Sequence, residues 1–246
     1  MTKPAGYLPY QPQLRPVAWG PDIWTINGPE INYALGGASI PCPTRMTVVR
    51  LRDSGLWVHS PVCLTPEVTA QMAEIGPVAF VLAPNAFHYS SFSDWAQAFP
   101  DAVLYTAPGL DAKIAPRSFE VLSEHLMASW RAEIDLHVFE LGHFTEAVFF
   151  HRVSRTLIVT DLMQNFEAGR VRNPLVRFLL FAGGATGPNG RASIEIRLAA
   201  RHHRAALRRG VDQMIAWQPA SVILSHGKCY RTDAAAEIER AFRWIG

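Results

Sequence analysis

Two kinds of segment alternate between residues 46 and 106, and this alternation constrains the fold more than any other feature of the sequence. The runs "LWVHS", "VAFVLA" and "AVLYTAP" are short, apolar and rich in β-branched and aromatic residues, which is typical of buried strands. Between the first two, "TPEVTAQMAEIG" offers Thr65 as a helix N-cap, Pro66 at the first helical position and Gly76 as a stop. Such alternation predicts an α/β fold built in layers.

A second β-rich run follows and is again closed by helical segments. The stretches "IDLHVFEL", "EAVFFHR" and "RTLIVTD" read as strands, the last two joined as a hairpin, and "SVILS" reads as a late strand. Two β-rich runs closed by helices predict an αββα sandwich of two mixed β-sheets. The remaining predicted helices cover about Ser93–Ala98, Ser118–Trp130, a section from Pro174, Ala199–Trp217 and Asp233–Trp244.

Composition narrows the class of protein. With 246 residues, 49% of them hydrophobic, the chain can bury a full core. The formal charge of +2 gives no footprint for nucleic acid, and we interpret the basic run from Arg197 to Arg209 as a solvated helix face. Three scattered cysteines fit a reducing compartment, and "PLVRFLLFAGGA" is too short to span a bilayer. We therefore expect a cytoplasmic protein that binds neither nucleic acid nor membrane.

Good metal ligands follow the predicted strands at four places. His143 and His226 each lie beside a glycine after a strand, Asp161 ends "TLIVTD", and His88 follows "VAFVLAPN". Ligands at the ends of several strands can converge on one edge of a sheet. Each residue alone has an ordinary alternative, such as a hydrogen-bonded histidine or, for Asp161, a helix N-cap.

The order of these motifs resembles the metallo-β-lactamase fold superfamily. "GHFTEAVFFHRVSRTLIVTDL" resembles its Gly-His to Thr-Asp hairpin, "VILSHG" resembles its terminal His-Gly, and residues 56–110 resemble the uncharacterised family "domain of unknown function 4336". The resemblance covers residues 22 to 246, which implies one such domain after an N-terminal extension, residues 1–21, packed on it. The chain departs at the superfamily's HxHxDH loop, where "NAFHYS" supplies one histidine in either register.

Because most of the loop ligands are missing, the resemblance implies a metal site with fewer ligands than is usual in the superfamily, enough for a single ion. His88, His143, Asp161 and His226 would hold one zinc or iron ion, which activates water to hydrolyse an ester, thioester or phosphoester. Whether the protein is an enzyme stays open at this point. The alternative is a non-catalytic, metal-free relative whose cleft binds a small molecule or a protein partner.

Five further residues are candidates for contact with a substrate, and each has a second interpretation. Tyr89 is a proton donor or a packing residue. Glu146 orients a ligand or acts as acid-base, or else pairs with a neighbour such as Arg155. Asn85 binds substrate or caps the turn, while Lys228 and Tyr230 meet an anionic substrate or lie in a solvated loop.

The loop after "VAFVLA" carries the prediction that a structure can most easily contradict. Because Pro84 ends the strand, we expect His88 to face the same cleft as His143 and His226. We expect Phe87 to pack inward and fill the space of a second metal. In the alternative, His88 only hydrogen-bonds a loop carbonyl or the neighbouring helix.

Overall fold

Eleven strands in two sheets form the centre of the protein in the computed structural model, which describes residues 6–35, 38–110 and 118–246. One sheet has seven strands in the order β1 to β7, and the other has four in the order β11-β10-β9-β8. The strands are β1 Pro16–Gly20, β2 Ile23–Leu35, β3 Ala38–Arg50, β4 Leu56–His59, β5 Val78–Ala83, β6 Val103–Thr106, β7 Glu120–Val121, β8 Ile134–Leu141, β9 Phe144–His151, β10 Thr156–Val159 and β11 Ser221–Leu224.

Helices cover the outer face of each sheet. The first helix confirms its predicted ends, because the Thr65 side chain accepts from the Val68 amide, Pro66 begins the helix and Gly76 follows its last residue. The helices are α1 Pro66–Ile75, α2 Phe92–Ala98, α3 Pro174–Gly183, α4 Ile194–Ala199, α5 Arg204–Ala216 and α6 Ala234–Phe242.

Three buried apolar layers hold the two sheets and helices α1, α2, α5 and α6 together, and a fourth, smaller cluster packs α3 against β3. One layer packs α1 and α2 against the seven-stranded sheet, and another packs α5 and α6 against the four-stranded sheet. The third lies between the sheets and includes Trp57, Trp130 and Phe149. The predicted αββα sandwich is therefore confirmed, and its stability comes from burial of the facing sides of both sheets.

Parallel pairing places several strand ends on the same side of the sandwich. β4, β5 and β6 run parallel in the larger sheet, and β10 and β11 run parallel in the smaller one. In parallel neighbours, the chain leaves both strands at the same sheet edge. The loops after β5, β10 and β11 are the ones that carry His88, Asp161 and His226.

Two predicted helices differ in the structure. The segment Ser118–Trp130 was expected to be helical, but it forms the edge strand β7 and a 3₁₀ turn at Ser129–Ala132. Leu122 donates its amide to Thr106, and both Leu122 and Trp130 are buried, so tertiary burial overrides helical spacing here. The predicted helix Ala199–Trp217 is broken by a 3₁₀ turn at Ala200–His202 before α5 begins.

The described part of the first 21 residues lies against the rest of the chain. β1 pairs antiparallel with β2, and the buried Tyr7 ring packs edge-on against Phe166 at 5.9 Å between centroids. The Arg172 amide also donates to the Gly6 carbonyl. The domain boundary after residue 21 stays a prediction.

Candidate metal centre

Three loops bring one buried side chain each to a common point between the sheets. Asp161 and His226 follow the parallel neighbours β10 and β11 by two residues, so they leave the smaller sheet at the same edge. His88 belongs to the larger sheet's β5 loop. That loop is tied to β9 because the Ala147 amide donates to the Pro84 carbonyl at 2.9 Å. This hydrogen bond holds the loop of His88 against the smaller sheet.

The functional atoms of these residues are in direct contact. The Nε2 atoms of His88 and His226 are 3.2 Å apart, and Asp161 lies 3.0 Å from His226 Nε2 and 3.3 Å from His88 Nε2 through its two oxygens. All three residues are buried. We call them the His-Asp-His cluster.

Contacts outside the cluster fix the orientation of both imidazole rings. His226 Nδ1 donates to the Pro43 carbonyl at 2.7 Å, and His88 Nδ1 is 2.7 Å from the Ser60 hydroxyl. A carbonyl only accepts, so His226 carries its outer proton on Nδ1 and its neutral form has a lone pair on Nε2. Outer hydrogen bonds of this kind orient histidine ligands in metal sites.

The separations within the cluster suit a metal ion. Ligand atoms about 2.1 Å from a tetrahedral ion lie about 3.4 Å from each other. The two imidazole nitrogens are 3.2 Å apart, and each lies 3.0 or 3.3 Å from a different oxygen of Asp161. One ligand atom from each residue lies within 4.8 Å of the other two, and the Phe166 ring stacks beside His226. Two imidazoles and one carboxylate are a donor set that zinc and iron accept, with room for further ligands. The residues present therefore fit a single metal ion.

Charge balance in the cluster also favours a cation. Burial alone would raise the pKa of Asp161, but the charge of His88 and the hydrogen bonds from both histidines outweigh it and hold that pKa well below its usual range. Burial lowers the pKa of His226, and the hydrogen bond and charge of Asp161 overcome this and raise it. The electrostatics of the cluster thus favour a positive charge beside the Asp161 carboxylate.

A second buried network supports the cluster from below. The Asn85 amide group donates to Glu146, Thr160 and Asp161 at 2.8–3.1 Å, and its carbonyl accepts from the amide of His88. Glu146 accepts the backbone amides of Thr160, Asp161 and Leu162 at 2.8–3.0 Å. Burial, then the charge of Asp161, raises the pKa of Glu146 to about 7. These two residues join the loop of His88 to the loop of Asp161.

The His-Asp-His cluster lies at the wall of a cavity of about 360 Å³. Apolar side chains from several elements form most of the remaining wall, with Gln164 and Glu195 as further polar groups. Tyr33 donates to Glu195 at 3.4 Å, which places this pair on the same wall. The cavity therefore offers a polar corner and an apolar body. Its apolar lining includes Ile31, Ile40, Phe144, Phe166, Leu180 and Ile196.

His143 was predicted as a ligand, but the structure places it outside the cluster. Gly142 and His143 form the two-residue turn between β8 and β9, with Gly142 at φ +72°, so His143 sits exposed at the hairpin tip. It still lines the cavity together with His88 and His226. Within the residues that the structure describes, the His-Asp-His cluster contains three of the four predicted ligands, and a metal contact of His143 stays a prediction.

The other predicted residues also differ in their surroundings. Tyr89 packs against the core layer of α1 and α2, and Tyr230 packs against the layer of α5 and α6, where its hydroxyl accepts from Arg240. Lys228 is exposed. Of the five candidates Asn85, Tyr89, Glu146, Lys228 and Tyr230, the described cavity wall contains none, so their contact with a substrate stays a prediction.

One expectation about side-chain direction is wrong, that for Phe87, and one of the two interpretations of Glu146 does not hold. Glu146 is fully buried and holds backbone amides, rather than pairing with Arg155 at the surface. Phe87 is 45% exposed and packs edge-on against Tyr33 at 5.7 Å, rather than turning inward. Phe87 therefore forms part of the cavity wall and does not fill a second metal position.

Two supporting residues were missed at the sequence level. Ser60 orients His88, and the buried Arg45 guanidinium donates to the carbonyls of Leu224 and Gly227 on either side of His226. Ser60 follows a strand end and adopts φ +55°, a conformation that no feature of the sequence predicts. An arginine inside "TRMTVVR" gave no sign of burial, because the partner carbonyls lie 179 and 182 residues away.

The fold matches solved metallo-β-lactamase structures along nearly its whole length. The DIM-1 metallo-β-lactamase has a TM-score of 0.61 at 12% identity, covering 95% of this chain and 97% of that chain. FIM-1 from Pseudomonas aeruginosa in its mono-zinc form has a TM-score of 0.58 at 13% identity, with 98% and 96% covered. The flavodiiron protein from Giardia intestinalis has a TM-score of 0.67 at 14% identity, covering 94% of this chain and 59% of that one.

Sequence comparison gives a narrower assignment. No protein with a curated description matches the chain. Residues 22–172, more than half of the chain, match the family described as a domain of unknown function, DUF4336. The structural match supports the fold, and the sequence match supports the family. The chain is a member of the DUF4336 family, with a metallo-β-lactamase fold and a buried His88, Asp161 and His226 cluster that could hold a metal.

Proposed function

We propose that the protein is a metal-dependent hydrolase with one metal ion held by His88, Asp161 and His226. The observation that carries this proposal is the position of three ligand residues in the polar corner of an otherwise apolar cavity, with both imidazoles held in orientation by hydrogen bonds to Ser60 and Pro43. A zinc or iron ion held by these three residues would supply Lewis acidity and would lower the pKa of water at the site to about 7. The bond cleaved is an ester, thioester or phosphoester of a small molecule.

The chain's own residues bind and orient the substrate. The apolar wall holds the larger part of the substrate and excludes water from it. Gln164 lies on the wall 3.4 Å from Asp161, where its amide can donate to a substrate oxygen. Hydrolysis adds the hydroxyl of water to the acyl or phosphoryl group and the proton to the leaving alcohol or thiol. The cavity favours substrates whose acyl or alcohol part is apolar.

The test measures metal content and hydrolysis in the same preparations. Protein purified without chelators should contain close to one equivalent of zinc or iron, and it should hydrolyse apolar acyl esters or thioesters faster than acetyl ones. Asp161→Asn should lose both metal and activity, because it removes the only carboxylate of the cluster. Gln164→Ala should keep the metal and lose part of the activity. Metal-loaded protein that cleaves none of the three bond types would contradict the proposal.

A metal-free binding protein is the second candidate, and one observation favours it. The cluster is closed by its own hydrogen bonds when one imidazole is protonated, and the raised pKa of His226 favours that state. In that case the cavity binds an apolar small molecule without reaction. Protein that stays metal-free after incubation with zinc and with iron, yet binds apolar ligands, would establish this alternative.

A further inference from the structure

Helix α3 presents apolar side chains to solvent. Leu175, Phe178 and Phe181 are 63%, 63% and 71% exposed. The helix is firmly built, because the Asn173 side chain caps its start, Val176 and Leu180 are buried, and Gly184 ends it in the left-handed conformation. Exposure of two phenylalanines on a capped helix is thus a stable feature of the surface, and contiguous apolar surface of this kind marks an interaction site.

Helix α4 extends the same surface. Arg197 donates to the Gly183 carbonyl at 2.8 Å, which joins α4 to the end of α3. Ile194 and Leu198 on α4 are 47% and 56% exposed. We define the apolar patch by these exposed side chains of the two helices: Leu175, Phe178, Leu179, Phe181, Ile194 and Leu198.

The segment that carries the apolar patch is basic. Residues 167–198 contain five arginines, two glutamates and no lysine or aspartate, a formal charge of +3, whereas the rest of the chain carries −1. In the described structure, Arg170 alone of these arginines has a carboxylate within 4 Å, that of Glu167. Arg172 is exposed two residues before α3 begins, and Arg177 is exposed within the helix. Uncompensated positive charge therefore lies next to exposed aromatic rings.

The cavity continues into this surface. Leu179, Gly183 and Ile194 line the cavity and also belong to α3 or α4. An apolar route thus leads from the patch toward the His-Asp-His cluster.

We propose that the apolar patch binds the surface of an anionic lipid bilayer. Amphipathic surfaces that combine Phe and Leu with arginine lie in the headgroup region, where the rings reach the acyl boundary and the guanidinium groups meet anionic lipids. A second copy on this patch would bring two segments of charge +3 together, since a twofold interface pairs the same surface with itself. Nucleic acid would account for the charge and leave the aliphatic side chains unexplained.

The proposal replaces the expectation that the protein does not bind membranes. It concerns the surface alone, because no helix in the described part of the chain is long and apolar enough to cross a bilayer. It is also independent of the metal site, so its test does not depend on activity.

Flotation of the protein with vesicles tests the proposal. The protein should float with vesicles of phosphatidylcholine mixed with phosphatidylserine, and added salt should weaken the binding. Phe178→Ala with Phe181→Ala should weaken binding at least about tenfold. Arg172→Gln with Arg177→Gln should weaken it by roughly the same factor on anionic vesicles. The matched control is Met127→Ala with Val153→Ala, two exposed apolar residues outside the patch, which should leave binding unchanged.

Three outcomes would overturn the proposal. One is failure of the folded protein to float with anionic vesicles. Another is equal binding by the patch variant and the control, with both showing the same thermal unfolding as the unsubstituted protein. The third is sedimentation showing a dimer that the Phe178 and Phe181 substitutions dissociate, without any vesicle binding, which would make the patch a contact between copies.

Discussion

The Nε2 atoms of His88 and His226 lie 3.2 Å apart, although 138 residues separate the two histidines in sequence. Each ring is held from outside by a different strand region, Ser60 after β4 and Pro43 in β3. The seven-stranded sheet thus orients both rings, and Asp161 completes the contact from the loop after β10 in the other sheet.

His88 and His143 are predicted to differ in their effect on metal content, although both line the cavity. His88→Ala removes a cluster member and should abolish tight binding of zinc or iron. His143→Ala changes an exposed hairpin-tip residue and should leave the metal in place. Elemental analysis of both variants, with thermal unfolding as a control for folding, distinguishes them. Equal loss of metal would mean that His143 reaches the ion.

Ser60→Ala should lower metal affinity without removing a ligand. The hydroxyl is 2.7 Å from His88 Nδ1, and loss of such an outer contact costs about 10- to 100-fold in metal affinity. Competition with a chromophoric chelator measures the change. Ser90→Ala, at an exposed position of the same loop region, serves as the control and should bind metal normally. Unchanged affinity in Ser60→Ala would show that Asn85 alone orients the loop.

Glu146→Gln should destabilise the fold by about 2 kcal/mol. The carboxylate accepts three backbone amides, and the amide group of glutamine would face at least one of them with a second donor. Urea unfolding at pH 8 measures the free energy of unfolding. Glu140→Gln on the exposed side of β8 is the matched control and should change stability little. A stable Glu146→Gln variant would contradict the role assigned to Glu146.

Acid should destabilise the protein through His59. Its ring is buried against Trp57, neither nitrogen has a partner among the described residues, and burial followed by the charge of His88 lowers its pKa to about 3. The unfolded chain binds a proton near pH 6.5 and the folded one does not. The stability contributed by neutral His59 is therefore present above pH 6.5 and is lost as the pH falls toward 3.

His59→Phe keeps an aromatic ring in the same place and removes this titration. The free energy of unfolding, measured with chelator at pH 7.5 and pH 5, should fall by about 2 kcal/mol more for the unsubstituted protein than for His59→Phe. Identical pH dependence in the two proteins would show that His59 has a proton acceptor in the folded state.

Local signals in the sequence determined the elements that local interactions stabilise. Helix α1 has its cap, its first-turn proline and its glycine within twelve residues, so neighbouring residues suffice to define it. The β9–β10 hairpin was predicted for the same reason, and parallel strand ends placed Asp161 and His226 on one edge. The family resemblance was also readable, because its motifs are short and contiguous.

Tertiary structure decided what depends on distant partners. Residues 118–130 have helical spacing, but burial of Leu122 and Trp130 beside β6 makes part of the segment a strand. His143 and His88 each follow a strand and look alike in sequence. The hairpin turn holds His143 at the surface, while Asn85, Glu146 and the β5–β9 tie draw His88 into the core. Burial and long-range hydrogen bonds place His88, and not His143, in the cluster, and neither can be read from a local sequence pattern.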